Sequence, residues 1–170
     1  LLDLKGENQL DGTTIFVALL AAIKKGASRE KIALLVDFCS LSTIDIKKLH
    51  EMIVDVRSVA CIDLIKKLAP FDPANISKEK INASFMTAIK YIKHDEGKKW
   101  FNFILNKVPD FNPHFNEEEP FRVACEENKL FVLEKLFSRE DVPDVHVRNE
   151  EGLISAVKNN HYEVIHLLFN

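Results

Sequence analysis

A chain of 170 residues, 46% hydrophobic and 29% charged, has an ordinary globular composition and the length for one or two domains or about five short repeats. Its net charge of -3 offers no basic field to a nucleic-acid backbone, so nucleic acid is excluded as the expected partner. The longest apolar run, Ile15 to Ile23, is nine residues, about half of the roughly 20 that cross a bilayer, and no membrane span is expected.

The first predicted helix carries Leu19 and Ala22 and ends near Gly26, a residue that turns left-handed without a steric penalty. A second, with Ser28 as its cap, carries Leu34, Leu35 and Phe38. Ser42 followed by Asp45 fits a capping box, and the apolar residues Ile44, Ile46, Leu49 and Ile53 then step at helical spacing. Leu64, Ile65, Leu68 and Ala69 form the partner helix. Ser77 opens the next pair, with Phe85 and Ala88 on its first helix, Gly97 near its end, and Trp100, Phe101, Ile104 and Leu105 on its second.

The last two pairs are near copies of each other. Phe121, Ala124, Asn128, Val132, Leu133, Leu136 and Phe137 return 32 positions later as Leu153, Ala156, Asn160, Val164, Ile165, Leu168 and Phe169. Val108-Pro109-Asp110 returns at 34 as Val142-Pro143-Asp144, and Asn116 at 33 as Asn149. Working backwards, Trp100 matches Val132 at 32, Phe85 matches Phe121 at 36, Leu49 matches Phe85 at 36, and Leu19 matches Leu49 at 30. A period near 32 to 36 residues is the mark of a stacked-repeat architecture. The fold class expected is all-α, a solenoid of helix-turn-helix repeats, with five units at about 11–40, 41–72, 73–109, 110–143 and 144–170 forming one domain. Asn116, ahead of three glutamates, is placed as a helix cap with those acids on the positive end of the dipole.

Residues 144–169 carry a motif: Asp144-Val145-His146, then Ala156, Asn160-His161, Glu163-Val164-Ile165 and Leu167-Leu168; the preceding unit keeps Asp110-Phe111-Asn112, Pro120-Phe121 and Ala124. This pattern resembles the ankyrin repeat, most clearly over residues 108–170, although the family's Thr-Pro-Leu-His tetrapeptide is missing and Asn160 stands where Gly is usual. The resemblance implies a protein-protein interaction module that binds a partner through the concave face and turn tips of the stack, with contacts from the turns and from the two residues after the alanine pair of each inner helix. Carried over, those are Lys24 and Lys25, Lys90 and Tyr91, Glu126 and Glu127, and Lys158 and Asn159, with Asn112, His114, Phe115, Arg148 and Asn149 on the turns. It also implies that His161 bonds to turn backbone and staples neighbouring units. Degenerate repeats of this kind occur in secreted effectors of intracellular bacteria and in large viruses, which adds the host cytosol to the locations expected.

No constellation in the chain points to catalysis. His161 and His166 are five apart and lie on different helix faces, there is no Cys-x-x-Cys and no Gly-rich phosphate loop, and Cys125 has no histidine nearby in sequence. No catalytic residue, metal or cofactor is therefore assigned. The runner-up expectation is a helical accessory or substrate-recruiting region of a larger enzyme or secreted effector, whose catalytic domain lies outside these residues. Three scattered cysteines, Cys39, Cys61 and Cys125, suggest neither a disulfide framework nor a metal site, and an intracellular, cytoplasmic setting follows. The Leu1-Leu2 start and the stop at Phe169-Asn170 inside an apolar period suggest a fragment, expected to be monomeric, with a partner protein of unknown identity. Phe115, apolar on a turn, is either tucked under a neighbour or exposed as a partner anchor.

Overall fold

The computed structural model describes residues 11–39, 45–65, 68 and 70–169. Among them the chain is helical, with no strand, and its helices follow one another in pairs. The pairs are α1 (Gly12–Lys24) with α2 (Arg29–Phe38), α3 (Ile46–Val56) with α4 (Val59–Ile65), α5 (Lys78–Lys90) with α6 (Asp95–Lys107), α7 (Phe115–Glu126) with α8 (Leu130–Phe137), and α9 (Val147–Lys158) with α10 (Tyr162–Leu168). Ser42, Ile44 and Ala69 lie outside the described residues. The longest helices have 13 residues, and no described helix is long and apolar enough to cross a membrane.

Helix starts follow local chemistry. Asp11 accepts from the Thr14 backbone N–H at 2.8 Å and caps α1. Asp45 is the cap of α3, accepting from Lys48 N–H at 3.0 Å. Ser77 Oγ accepts from Lys80 N–H at 3.2 Å, as its position predicts, whereas Ser28 occupies the cap site of α2 without such a bond. The ends of the first helices of four pairs share one device, a left-handed residue: Gly26 at φ 64°, Arg57 at 53°, Asn128 at 55° and Asn160 at 58°. Gly97 does something else. It lies inside α6, where an added Cβ would sit 2.2 Å from the Tyr91 carbonyl oxygen, so it serves close approach and not a helix end.

Two compact parts divide the chain, one up to Ile81 and one from Asn82 onward. In the first part α1 packs on α2 and α3, and α2 packs on α4. First helices thus stack on first helices and second on second. Its core is Phe16, Leu19, Leu20, Ile23, Ile32, Val36, Leu49, Ile53 and Val54. His50 is also fully buried there, with its ring 5.2 Å from that of Phe71. In the second part α7 packs on α8 and α9, and α9 on α10. Phe85 is fully buried and anchors a ring cluster, 4.7 Å from Phe101 and 4.8 Å from Phe111. Trp100 is buried beside it and its indole N–H donates to Ser84 Oγ at 2.8 Å, which satisfies the one polar atom the ring brings inside.

Candidate functional site

The turns that open α7 and α9 are built alike. Asn112 accepts from His114 N–H at 2.8 Å and Asp144 accepts from His146 N–H at 2.9 Å, so each side chain closes a tight turn on its own backbone. Three consecutive left-handed residues follow: Asn116, Glu117 and Glu118 in the first, Arg148, Asn149 and Glu150 in the second. Pro120 then stands in the first right-handed turn of α7, where its missing N–H costs nothing. The offset is 32 throughout this region. Asp144 is therefore the counterpart of Asn112 and not of Asp110, whose own backbone is left-handed at φ 53°; Asn116 pairs with Arg148 and not with Asn149. Asn116 is also not a cap, and Glu117 and Glu118 sit in the left-handed turn instead of on a dipole.

A left-handed residue other than glycine costs about 1–2 kcal/mol, so three in a row need compensation. Polar side chains supply it. Glu118, buried, takes the His114 ring nitrogen Nδ1 at 2.8 Å and the Asp144 N–H at 3.2 Å, tying one turn to the next. Arg122 donates to the Glu117 carbonyl at 2.9 Å, the Asn116 carbonyl at 3.2 Å and the Glu151 carboxylate at 2.9 Å. Arg148 pairs with Glu117 at 2.8 Å. The Arg139 guanidinium beside Asp141, with His114 adding to it, holds that carboxyl down to about 2.

Most of the turn residues expected to meet a partner are thus spent on the fold. Asn112, His114 and Arg148 hold turns together, and Asn149 is one of the left-handed residues. Phe115 is tucked: it is half-buried as the first residue of α7, with its ring 6.5 Å from Phe85 and 6.3 Å from Phe111. Asn159 donates to the Glu126 carbonyl at 3.2 Å and His161 to the Cys125 carbonyl at 3.0 Å, so the end of α9 is stapled to the end of α7. That places Glu126, Glu127, Lys158 and Asn159 side by side, with the side chains of Glu126 and Lys158 exposed and Glu127 lying 3.3 Å from Lys129. Lys90 and Tyr91 are exposed at the end of α5, the Tyr91 ring 6.5 Å from His94.

Lys24 and Lys25 lie elsewhere, and the structure adds to them. With Ile23 and Gly26 they form one side of a pocket of about 530 Å³, whose other side is Met52, Asp55, Val56 and Arg57 at the end of α3. Met52 and Val56 are half-buried, and Ile23 is buried beneath them. The Asp55 carboxylate is already engaged by Lys80 at 3.2 Å. Lys24, Lys25 and Arg57 have no ion-pair partner among the described residues, so three cations surround a partly apolar floor. A cation at a helix C-terminus is favourable by about 0.3–1 kcal/mol, which accounts for one such residue at each end. It does not account for Arg57, because the left-handed backbone there costs about 1–2 kcal/mol more for arginine than for the glycine used at position 26. Arg57, Met52 and Val56 are missing from the sequence-based set of contact residues. The spacing did not signal it, since the slot of Gly26, Asn128 and Asn160 falls in the repeat frame at Val56, one position before the left-handed residue, and an arginine does not mark a helix end by its type.

No thiol is activated. Burial pushes the Cys125 thiol up to about 12 and raises that of Cys39, the opposite of what a nucleophile requires. Among the described residues no three His, Cys, Asp or Glu side chains gather to hold a metal ion. Comparison of the chain with protein-family models, with curated proteins and with solved structures found no match.

Proposed function

We propose that this chain is a protein-interaction module, an ankyrin-like stack of helix pairs that holds another protein through the ends of its inner helices. One observation carries the reading. Side chains at the inner-helix ends fall into two groups, those that join pair to pair and those left facing solvent, and the second group includes Lys24, Lys25, Lys90, Tyr91, Glu126 and Lys158. Lysines stand on the first, third and fifth pairs and a glutamate on the fourth, and mixed charge of this kind selects a partner by pattern and steers its approach. Tyr91, 49% exposed, adds the rigid aromatic surface that interfaces favour. The free thiols Cys39, Cys61 and Cys125 agree with a reducing compartment.

The test is site-specific photocrosslinking in cells that contain the partner. Crosslinkers at Lys25, Tyr91, Glu127 and Asn159 are expected to trap the same protein. Crosslinkers at Lys31, Glu134 and Glu163, exposed on the second helices, are expected to trap none. A partner trapped mainly from the second helices would overturn the reading.

A further inference from the structure

The pocket between the ends of α1 and α3 has a chemistry of its own. Among the described residues that line it the one acid, Asp55, is engaged by Lys80, and Lys24, Lys25 and Arg57 are unpaired. Its lining is partly apolar, through Ile23, Met52 and Val56. Arginine stands at a backbone position with φ 53°, where glycine or asparagine serves at the other helix ends, so local stability does not explain its presence.

We propose that this groove receives an acidic linear peptide. One carboxylate of the peptide sits in the fork of the Arg57 guanidinium, a geometry that a planar five-donor group is suited to. Flanking carboxylates face Lys24 and Lys25, and an apolar side chain between them lies over Met52 and Val56. The proposal rests on the interaction-module reading and names the partner's chemistry at one site of it. A peptide is favoured over a small anion because the floor offers contact area that an inorganic ion cannot use. The paired cations set the specificity and the apolar floor adds affinity that salt does not screen.

The probe is a fluorescein-labelled peptide alternating glutamate with leucine, followed by anisotropy on adding the full chain. Saturable binding is expected, weakening about tenfold as salt rises from about 50 to about 300 mM. Lys24→Glu with Lys25→Glu is expected to abolish it, and Lys47→Glu with Lys48→Glu, the same charge change on exposed residues of α3 outside the pocket, to leave it unchanged. Arg57→Asn is the decisive variant. It should lose about tenfold in affinity while melting about 2 to 4 °C higher, because asparagine tolerates the left-handed backbone better. A lower melting temperature for this variant would show the arginine to be structural and overturn the proposal. So would the absence of saturation at about 1 mM protein, or displacement of the peptide by inorganic tripolyphosphate at equal charge concentration, which would mark a small-anion site. Photocrosslinks from Tyr91, Glu127 and Asn159 without peptide binding would sink the groove alone. Peptide binding that requires Arg57, without any crosslink from those three positions, would support the groove and sink the wider face.

Discussion

The ends of α1 and α3 and the ends of α7 and α9 occupy corresponding places in their pairs, yet they are used differently. At α7 and α9 the polar groups are spent internally: Asn159 and His161 reach carbonyls of the preceding pair, and Glu118 holds the next turn by its Asp144 N–H. At α1 and α3 the same kind of position carries cations around a pocket, none of them paired among the described residues. The difference teaches that a residue's place in the repeat does not decide its role. What decides is whether the neighbouring pair presents a group to bond.

Five substitutions would break or sharpen that contrast. The largest effect is expected for Phe85→Ala, which empties the centre of the ring cluster formed with Phe101 and Phe111. Urea denaturation should show a loss of about 3–5 kcal/mol, and a loss below 1 would mean that the cluster is not the core of the second part. Next is Gly152→Val. Its Cβ would stand 2.8 Å from Phe121 Cε1 and 3.3 Å from Cys125 Sγ, so overpacking of about 1–3 kcal/mol is expected at the closest approach of α9 to α7.

A smaller change separates the two kinds of helix end directly. His161→Ala leaves the Cys125 carbonyl without its donor and should cost about 1 kcal/mol. Lys25→Ala, at the α1 end, should fall within about 0.5 kcal/mol of the parent. Equal losses in thermal melts would erase the distinction drawn between stapled and free ends. The smallest effect is read as a slope. Burial lowers the pKa of His50 below its ordinary value of 6.5, with Asp72 and the Pro70 backbone pulling partly back. The folded chain therefore binds this proton less readily than the unfolded one, so the contribution to stability is complete above pH 6.5 and is lost as the pH falls from there through the lower folded-state value. His50→Leu should flatten the pH dependence of the denaturation midpoint in this window; parallel curves for the two proteins would remove His50 from the account.

The helices were legible because their causes are local. Steps of three and four among apolar residues put Leu49, Ile53, Phe85, Ala88, Trp100 and Phe101 inside, and all are buried. Gly26, Asn128 and Asn160 marked helix ends because their residue types tolerate the left-handed backbone. Arg57 did not, and with it the pocket was missed. The triple left-handed turns were illegible for a related reason. Glutamate and arginine do not favour positive φ; at 117, 118, 148 and 150 they adopt it while Arg122 holds the Glu117 carbonyl, His114 and the Asp144 N–H hold the Glu118 carboxylate, and Arg148 pairs with Glu117 across the two turns. Phe115 could be read as tip or core from its position, and only the placement of Phe85 and Phe111 decided for core.

The sequence by itself determined an all-helical chain built from helix pairs, the copied frame of its last two pairs and most of its buried residues, since apolar spacing and turn propensity act over a few neighbours. Tertiary structure alone decided which polar residues are free. Whether His114 or Arg148 meets solvent or a neighbouring turn depends on groups up to 31 positions away, as in the pairing of Arg148 with Glu117, and no local pattern encodes that distance. The pocket at Lys24, Lys25 and Arg57 belongs to the same class: two helix ends, each ordinary alone, become a site only when α1 packs on α3.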